Sequence, residues 1–327
     1  ALADRIIFVK VGVAGACGGR RQHGNRLAVR HIGQLSKNPY DAISGRDRWK
    51  RWSTRGIAGA VIVPVPYDGA STWQKGADAG PGALLEASAA VELYDIETAR
   101  EPWRDGIRTL PALDVPPDPE GMSSVVRDAV ATILEGGELP VVLGGEHSVT
   151  IGAVEAAASR FDDLTVLQID AHADTREEYE GSSHNHACVM ARARERCPIV
   201  QVGIRAVDAS EMPGLDPARV FWAHDIAGAA DDSWMDEVAG LLTGHVYVTI
   251  DLDAFDPSFI PATGTPEPGG LEWYPVNRLL RRVVRASQVV GFDVVELLPA
   301  EGHHSSAFAA AKLVYRFLAE IGAARDA

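Results

Sequence analysis

The sequence has no long hydrophobic run and few cysteines, and each shortage excludes a class of protein. Polar or charged residues interrupt every apolar stretch before the roughly 20 residues that a transmembrane helix needs, so no membrane span is expected. The three cysteines, Cys17, Cys188 and Cys197, are odd in number and lack zinc-type spacing. This pattern disfavours a disulfide framework and favours a reduced, cytoplasmic setting.

Positive charge is scarce over the chain as a whole. The 327 residues include 31 Lys or Arg and 45 Asp or Glu, which gives a formal net charge of −14. This balance argues against nucleic acid, anionic membranes and acidic substrates as partners, and it leaves a small cationic substrate open.

Residues 1–56 depart from this composition, because they hold twelve Lys or Arg and only three Asp or Glu. We expect a basic N-terminal extension there, followed by one domain over residues 57–327, in which no repeat or low-complexity linker occurs. A disordered arm, an organellar presequence and an extension upstream of the true start are open interpretations, and an unstructured solvated tail is favoured.

Short apolar, β-branched segments alternate with amphipathic segments from residue 57 onwards. Predicted strands cover 57–65, 139–145, 164–170, 198–204, 245–253 and 288–296, and predicted helices cover 123–136, 148–161, 233–244, 273–286 and about 305–322. The alternation predicts an α/β fold, a three-layer α/β/α sandwich with a mainly parallel central sheet. Ligands of such sheets bind beyond the carboxyl ends of the strands.

Histidines and aspartates are concentrated at three of these strand ends. They are His147 in GGEHS, Asp170, His172 and Asp174 in DAHAD, and Asp251 and Asp253 in IDLD. Alternate residues of an extended segment project to one side, so each run should aim its side chains into one crevice. Singly, an Asp-x-Asp pair is usually a turn or a helix cap. Together, four carboxylates would repel one another strongly unless they were neutralised.

Two divalent cations would balance the four carboxylates, which predicts a binuclear metal centre. Ligation by oxygen and two His without Cys favours Mn²⁺ over Mg²⁺, Co²⁺ or Ni²⁺ and disfavours structural zinc. Such ions lower the pKa of water and supply hydroxide at neutral pH. The predicted reaction class is metal-assisted hydrolysis.

The segments GGEHS, DAHAD, IDLDAFDPSFIPATGTPEPGG and GFDVVELLP resemble the signature segments of the ureohydrolase (arginase/agmatinase) family. The resemblance implies an α/β/α sandwich that binds two Mn²⁺ per subunit, forms homotrimers or hexamers and hydrolyses guanidino or amidino groups. It implies that His147, Asp170, Asp174 and Asp251 hold one ion and that His172, Asp170, Asp251 and Asp253 hold the other. Asp170 and Asp251 would then bridge the two ions.

The resemblance also implies two residues that act on the substrate. Glu296 matches the family's substrate-binding Glu and would hold a guanidinium through paired charge-assisted hydrogen bonds. His186, in NHACVM, matches the histidine that protonates the leaving amine, a task that suits a pKa near neutrality. His184 is the competing residue, but the ACVM that follows His186 fits the family pattern.

The loop after DAHAD bears on the substrate. Arg176 stands where arginases usually carry Asn, and TPEPGG and GGLEWY resemble agmatinases or aminopropylagmatine ureohydrolases. Agmatine or its aminopropyl derivative would give urea with putrescine or spermidine, and the acidic REEYE segment could attract the distal amine. Alternatively, Arg176 could bind a substrate carboxylate, as in a guanidinobutyrase or a formimidoylglutamase-like enzyme, and an arginase is a further alternative. A non-catalytic metal-binding protein is the second alternative, against which His186 and Glu296 argue.

Overall fold

The computed structural model describes residues 59–327, so the predicted extension over residues 1–56 lies outside the described residues. The strands are β1 Ala60–Val65, β2 Ile107–Thr109, β3 Leu139–Gly144, β4 Leu164–Ile169, β5 Ile199–Ile204, β6 Val220–Trp222, β7 His245–Asp251 and β8 Gln288–Val295. The α-helices of this part are α1 Gly80–Ser88, α2 Pro119–Glu135, α3 Val149–Arg160, α4 Val189–Arg194, α5 Ala223–Gly228, α6 Ser233–Gly240, α7 Trp273–Ala286 and α8 Ser305–Arg325. None of these helices combines the length and apolar character needed to cross a bilayer.

The strands form one parallel sheet in the order β2-β1-β3-β8-β7-β4-β5-β6. Every residue of β1, β3 and β4 is buried. Strands buried on both faces read as continuous apolar runs, which is why their positions were predictable. The prediction missed β2 and β6, because three-residue strands at the two edges of the sheet leave no such run.

Helices cover both faces of the sheet, as alternate residues of β1 show. Val61 and Val63 belong to a hydrophobic cluster shared with α2, α3 and α4. Ala60 and Ile62 belong to the opposite cluster, shared with α1, α6, α7 and α8. The predicted three-layer α/β/α sandwich is therefore confirmed.

Candidate active site

The site lies where the four central strands of the sheet end. Strands β3, β8, β7 and β4 are adjacent, although they are far apart along the chain. Because the strands are parallel, their carboxyl ends open at the same edge, where α/β proteins bind ligands. His147 follows β3, Glu296 follows β8, Asp251 ends β7 and Asp170 follows β4. The sheet therefore brings the predicted residues to one edge.

His147 lies at the centre of the first group of potential ligands. Its Nδ1 atom is 3.2 Å from Asp170 Oδ2, 3.1 Å from Asp174 Oδ2 and 3.3 Å from Asp251 Oδ2. The side chain is 1% exposed, and within the described residues this nitrogen makes no hydrogen bond. One imidazole nitrogen facing three carboxylates is a donor set suited to a divalent cation.

A second group lies beside the first. His172 Nδ1 is 2.9 Å from Asp253 Oδ2 and 3.8 Å from Asp170 Oδ1. The ligand atoms of Asp170, His172 and Asp253 lie within 4.8 Å of one another, as do those of His147, Asp170 and Asp251. Asp170 belongs to both groups, as a bridging ligand should. In the described part of the chain Asp251 is grouped only with the first, so its bridging role stays a prediction.

Hydrogen bonds orient the carboxylates towards these two groups. Asp251 Oδ1 accepts from the Asp253 backbone N–H at 2.8 Å, and Asp253 Oδ1 accepts from the Ala171 N–H at 3.1 Å. The Oδ2 atom of each is left to face a histidine. The Gln168 amide donates to Asp170 Oδ2 at 2.7 Å. Asp170 is held at both oxygens, because its Oδ1 accepts the His172 backbone N–H at 2.6 Å.

The DAHAD segment differs from the expected extended run. Strand β4 ends at Ile169, and the residues after it form a loop. Asp174 has a φ of 52°, a left-handed conformation that aspartate tolerates better than most residues. The expectation that extended spacing alone would align the three side chains was therefore wrong. A turn of the backbone brings Asp174 to His147.

The charges of the metal-free protein show why cations fit here. Burial and repulsion from Asp253 and Asp174 raise the pKa of the Asp170 carboxyl to about 7. Burial and repulsion from Asp253 and Asp170 raise the pKa of Asp251 well above its usual range. Ionisation of Asp170 and Asp251 is thus disfavoured in the metal-free protein, and two divalent cations would remove that penalty. The residues present therefore fit a pair of metal ions.

Glu296 connects the first group to the cavity. Its φ is 63°, and its backbone N–H donates to the Gly145 carbonyl at 2.9 Å. Its Oε1 atom accepts the His147 backbone N–H at 2.7 Å. The other oxygen lies on the side of Gly264, where an added Cβ would be 3.8 Å away. The carboxylate is thus anchored at one oxygen and lines the cavity.

His186 lines the same cavity, whereas His184 does not. His186 begins the short 3₁₀ turn His186–Cys188, and its ring meets Tyr179 edge to face at 5.9 Å. Burial lowers the pKa of His186, and its Nδ1 makes no hydrogen bond to any described residue. The ring of His184 instead lies 3.7 Å from Glu120. Of the two histidines, only the preferred His186 lines the cavity that contains the metal groups.

The lining of the cavity contains two acidic residues that the sequence analysis missed. Asp208 and Glu211 lie in the loop after β5, beside Arg176, at 3.7 and 3.6 Å from its guanidinium. Glu211 is fixed by the Thr175 backbone N–H at 2.8 Å. The sequence did offer a way to find them, because this loop also follows the end of a predicted strand, where ligands are expected to bind. The guanidinium of Arg176 also lies 4.4 Å over the ring of Tyr179.

The acidic REEYE segment has a different environment from the one predicted. Glu177 pairs with Arg192 at 2.6 Å and also with Arg194, outside the cavity lining. Arg176 and Tyr179 are the residues of this segment that line the cavity, whose volume is about 360 Å³. The acidic residues beside Arg176 in the cavity lining are therefore Asp208 and Glu211, and not those of the REEYE segment.

Comparison with known proteins agrees with this geometry. The model of the arginase family matches residues 58–319, and the chain belongs to that family. The sequence is 42% identical over 272 residues to an N(1)-aminopropylagmatine ureohydrolase of Synechocystis sp., covering 80% of this chain and 88% of the relative. A protein of that name from Thermus thermophilus is 38% identical over 265 residues, covering 79% and 88%. The crystal structure of the agmatine ureohydrolase of Thermoplasma volcanium matches with a TM-score of 0.76 and 32% identity, covering 83% of this chain and 92% of that one.

These matches confirm the resemblance that the motifs indicated. Members of the arginase family depend on a pair of metal ions, and the groups around His147 and His172 provide residues for such a pair.

Proposed function

We propose that the protein is a manganese ureohydrolase of polyamine biosynthesis. It hydrolyses the guanidino group of agmatine or of its N1-aminopropyl derivative to urea and putrescine or spermidine. The observation that carries this proposal is one cavity lined by both potential metal groups, Glu296 and His186. The names of the relatives at 42% and 38% identity support the aminopropyl derivative.

The proposed metal ligands follow the two groups at the strand ends. His147, Asp170, Asp174 and Asp251 would hold one Mn²⁺, and His172, Asp170, Asp251 and Asp253 would hold the other. We favour Mn²⁺ because carboxylate oxygens outnumber imidazoles and no cysteine takes part. Bound there, the two ions would lower the pKa of water and supply hydroxide as the nucleophile.

Glu296 would position the guanidinium for attack. A guanidinium is a resonance-stabilised, poor electrophile, so holding it beside the nucleophile provides much of the rate. One carboxylate oxygen is fixed by the His147 N–H, and the other is available for a charge-assisted hydrogen bond from the substrate. Because Glu296 is hydrogen-bonded to the His147 backbone, a guanidinium bound to Glu296 would lie next to the metal groups.

His186 would move the proton that lets the amine leave. Attack forms a C–O bond at the guanidinium carbon, and the C–N bond to the alkyl chain then breaks. Protonation of that nitrogen makes it a good leaving group. His186 lines the cavity and would carry this proton, while edge-to-face contact with Tyr179 holds the ring. The products are urea and the amine.

The distal end of the substrate would be an amine rather than a carboxylate. Asp208 and Glu211 line the cavity beside Arg176, and their two negative charges exceed its single positive charge. The alternative, recognition of a carboxylate by Arg176, is favoured by the position of Arg176 in the lining. To bind a carboxylate, the Arg176 guanidinium would have to give up its contacts with Asp208, Glu211 and Tyr179.

The site of action and the assembly are further parts of the proposal. We expect a cytoplasmic enzyme that forms homotrimers or hexamers, as the family resemblance implies. Light scattering coupled to gel filtration would give the number of subunits directly.

Product analysis tests the reaction. Metal-free protein would be reconstituted with Mn²⁺, incubated with aminopropylagmatine or agmatine, and analysed for urea and free amine. We expect equal amounts of urea and spermidine or putrescine, with the His186→Ala variant as the inactive control. Fully metal-loaded protein that forms neither product would overturn the proposal and favour a non-catalytic metal-binding protein.

A further inference from the structure

A buried group of hydroxyls lies behind His147, on the side away from the cavity. The Nε2 atom of His147 is 2.8 Å from Thr249 Oγ1 in β7. That hydroxyl is 2.7 Å from Asp293 Oδ1 in β8. Asp293 Oδ2 is 2.9 Å from both Thr150 Oγ1 and the Tyr247 hydroxyl. All of these residues are at most 1% exposed, so water has no access to the arrangement.

The number of protons in this group fixes the direction of each hydrogen bond. The hydroxyls of Thr150, Tyr247 and Thr249 all donate to the carboxylate oxygens of Asp293, which accept. Each hydroxyl has a single proton, and Thr249 directs its own to Asp293. The Thr249 oxygen must therefore accept from His147, which makes Nε2 the protonated nitrogen. Nδ1 is then the nitrogen that faces the three aspartates, in the position where a cation would meet it.

We propose that Thr249 and Asp293 are positioning residues, which hold the His147 ring with Nε2–H as donor and present the Nδ1 lone pair to the metal. The inference rests on the metal centre of the proposed function, but it does not depend on the substrate. Neither residue lines the cavity, so neither can act by touching a guanidino compound.

His172 provides an internal comparison. Its side chain is 28% exposed and contacts Asp253 and Asp170 through Nδ1. Within residues 59–327, the Nε2 atom of His172 makes no hydrogen bond to a hydroxyl that is itself bound to a buried carboxylate. Loss of the Thr249 hydroxyl should therefore weaken the ion held by His147 and spare the ion held by His172. A general loss of packing would instead affect both.

Mn²⁺ titration of the metal-free protein tests this proposal by calorimetry, with free Mn²⁺ also followed by electron paramagnetic resonance. Thr249→Val removes the hydroxyl at nearly constant volume, and Thr249→Ser restores it. Asp293→Asn removes the acceptor. Thr150→Val is the matched control, because it removes an equally buried hydroxyl from Asp293 that does not contact the His147 ring. The backbone N–H of Thr150, which donates to the His147 carbonyl, is unchanged by the substitution. The melting temperature of each metal-free variant reports its folding.

We expect Thr249→Val to weaken one of two Mn²⁺ sites about 10- to 100-fold, the usual loss when the hydrogen-bond partner of a metal-binding histidine is removed. Thr249→Ser should recover most of that affinity, and Thr150→Val should lose less than Thr249→Val. Unchanged Mn²⁺ affinity in a folded Thr249→Val protein would overturn the proposal. The proposal would also be overturned if Thr249→Val weakened both Mn²⁺ sites equally. Equal losses of Mn²⁺ affinity in Thr150→Val and Thr249→Val would likewise overturn it. If the wild-type protein binds two Mn²⁺ but forms no urea, the proposed function is contradicted. The role of Thr249 in Mn²⁺ binding would still be decided by the affinities of the variants.

Discussion

At the scale of single residues, metal binding and proton transfer are assigned to different side chains. Asp251 faces His147 Nδ1 through one oxygen, whereas His186 lies against Tyr179. Asp251→Asn should lose Mn²⁺, because it removes a charged ligand from the first group. His186→Ala should keep both ions and lose about 10²- to 10⁴-fold in kcat, the usual contribution of a general acid. Metal analysis and steady-state kinetics of both variants check these expectations.

The two variants are controls for each other. Normal Mn²⁺ content in Asp251→Asn would contradict its place in the metal site. Loss of metal from His186→Ala would mean that the histidine supports the centre instead of moving a proton.

Glu296 is expected to bind the substrate. Glu296→Gln keeps the shape of the side chain but removes the charge that a guanidinium would meet. A hydrogen bond to a charged group contributes about 1.5–3 kcal/mol, so kcat/KM should fall roughly 10- to 100-fold with Mn²⁺ content unchanged. The exposed Glu301, outside the cavity lining, gives the matched variant Glu301→Gln. Equal kcat/KM in the Glu296→Gln and wild-type proteins would rule out this role.

At the scale of elements, the turn after β3 depends on a close approach of two backbones. A Cβ at Gly145 would lie 1.7 Å from the Tyr67 carbonyl oxygen, closer than any real contact. The same oxygen accepts the Glu146 N–H at 2.9 Å. Gly145→Ala should therefore displace the turn that carries His147, costing roughly 3 kcal/mol as overpacking does.

Thermal unfolding with Mn²⁺ titration measures this effect. Gly240→Ala is the control, because nothing lies within 4 Å of its added Cβ. A Gly145→Ala protein with the melting temperature and metal affinity of the wild type would show that the turn can shift freely.

The elements also show what was predictable from the sequence. The central strands could be located because their buried residues form continuous apolar runs, and the ligands follow those runs directly. The neighbour order β3-β8-β7-β4 was not readable, since chain order does not specify which strands pair. Asp208 and Glu211 were missed because they lack a repeated spacing. The left-handed conformation of Asp174 could not be predicted, because an Asp-x-His-x-Asp pattern contains no residue that specifies it.

At the scale of the whole molecule, buried ion pairs connect α8 to the segment after α1. Arg316, with a side chain 3% exposed, lies 3.1 Å from Asp95 and 3.2 Å from Glu320. No sequence pattern predicted this contact, because Arg316 and Asp95 are 221 residues apart. Arg316→Leu should lower the free energy of unfolding by about 3–5 kcal/mol, since it leaves a buried carboxylate unpaired.

Denaturant unfolding of the Mn²⁺-loaded protein checks this value. Arg127 pairs with Asp128 at the surface, where the side chains are 42% and 73% exposed. Arg127→Leu should therefore change the free energy by less than about 1 kcal/mol. Similar effects of the two substitutions would mean that burial adds nothing to the Arg316 pairs.

The measurement that tests the central claim most directly is urea release by the Mn²⁺-loaded enzyme. The substrates would be agmatine, N1-aminopropylagmatine, arginine and 4-guanidinobutyrate, each assayed for kcat/KM. Because Asp208 and Glu211 together carry more charge than the Arg176 beside them in the cavity lining, we expect the highest kcat/KM for a substrate that ends in an amine. Preference for arginine or 4-guanidinobutyrate, or no urea from any of the four, would contradict the proposed function.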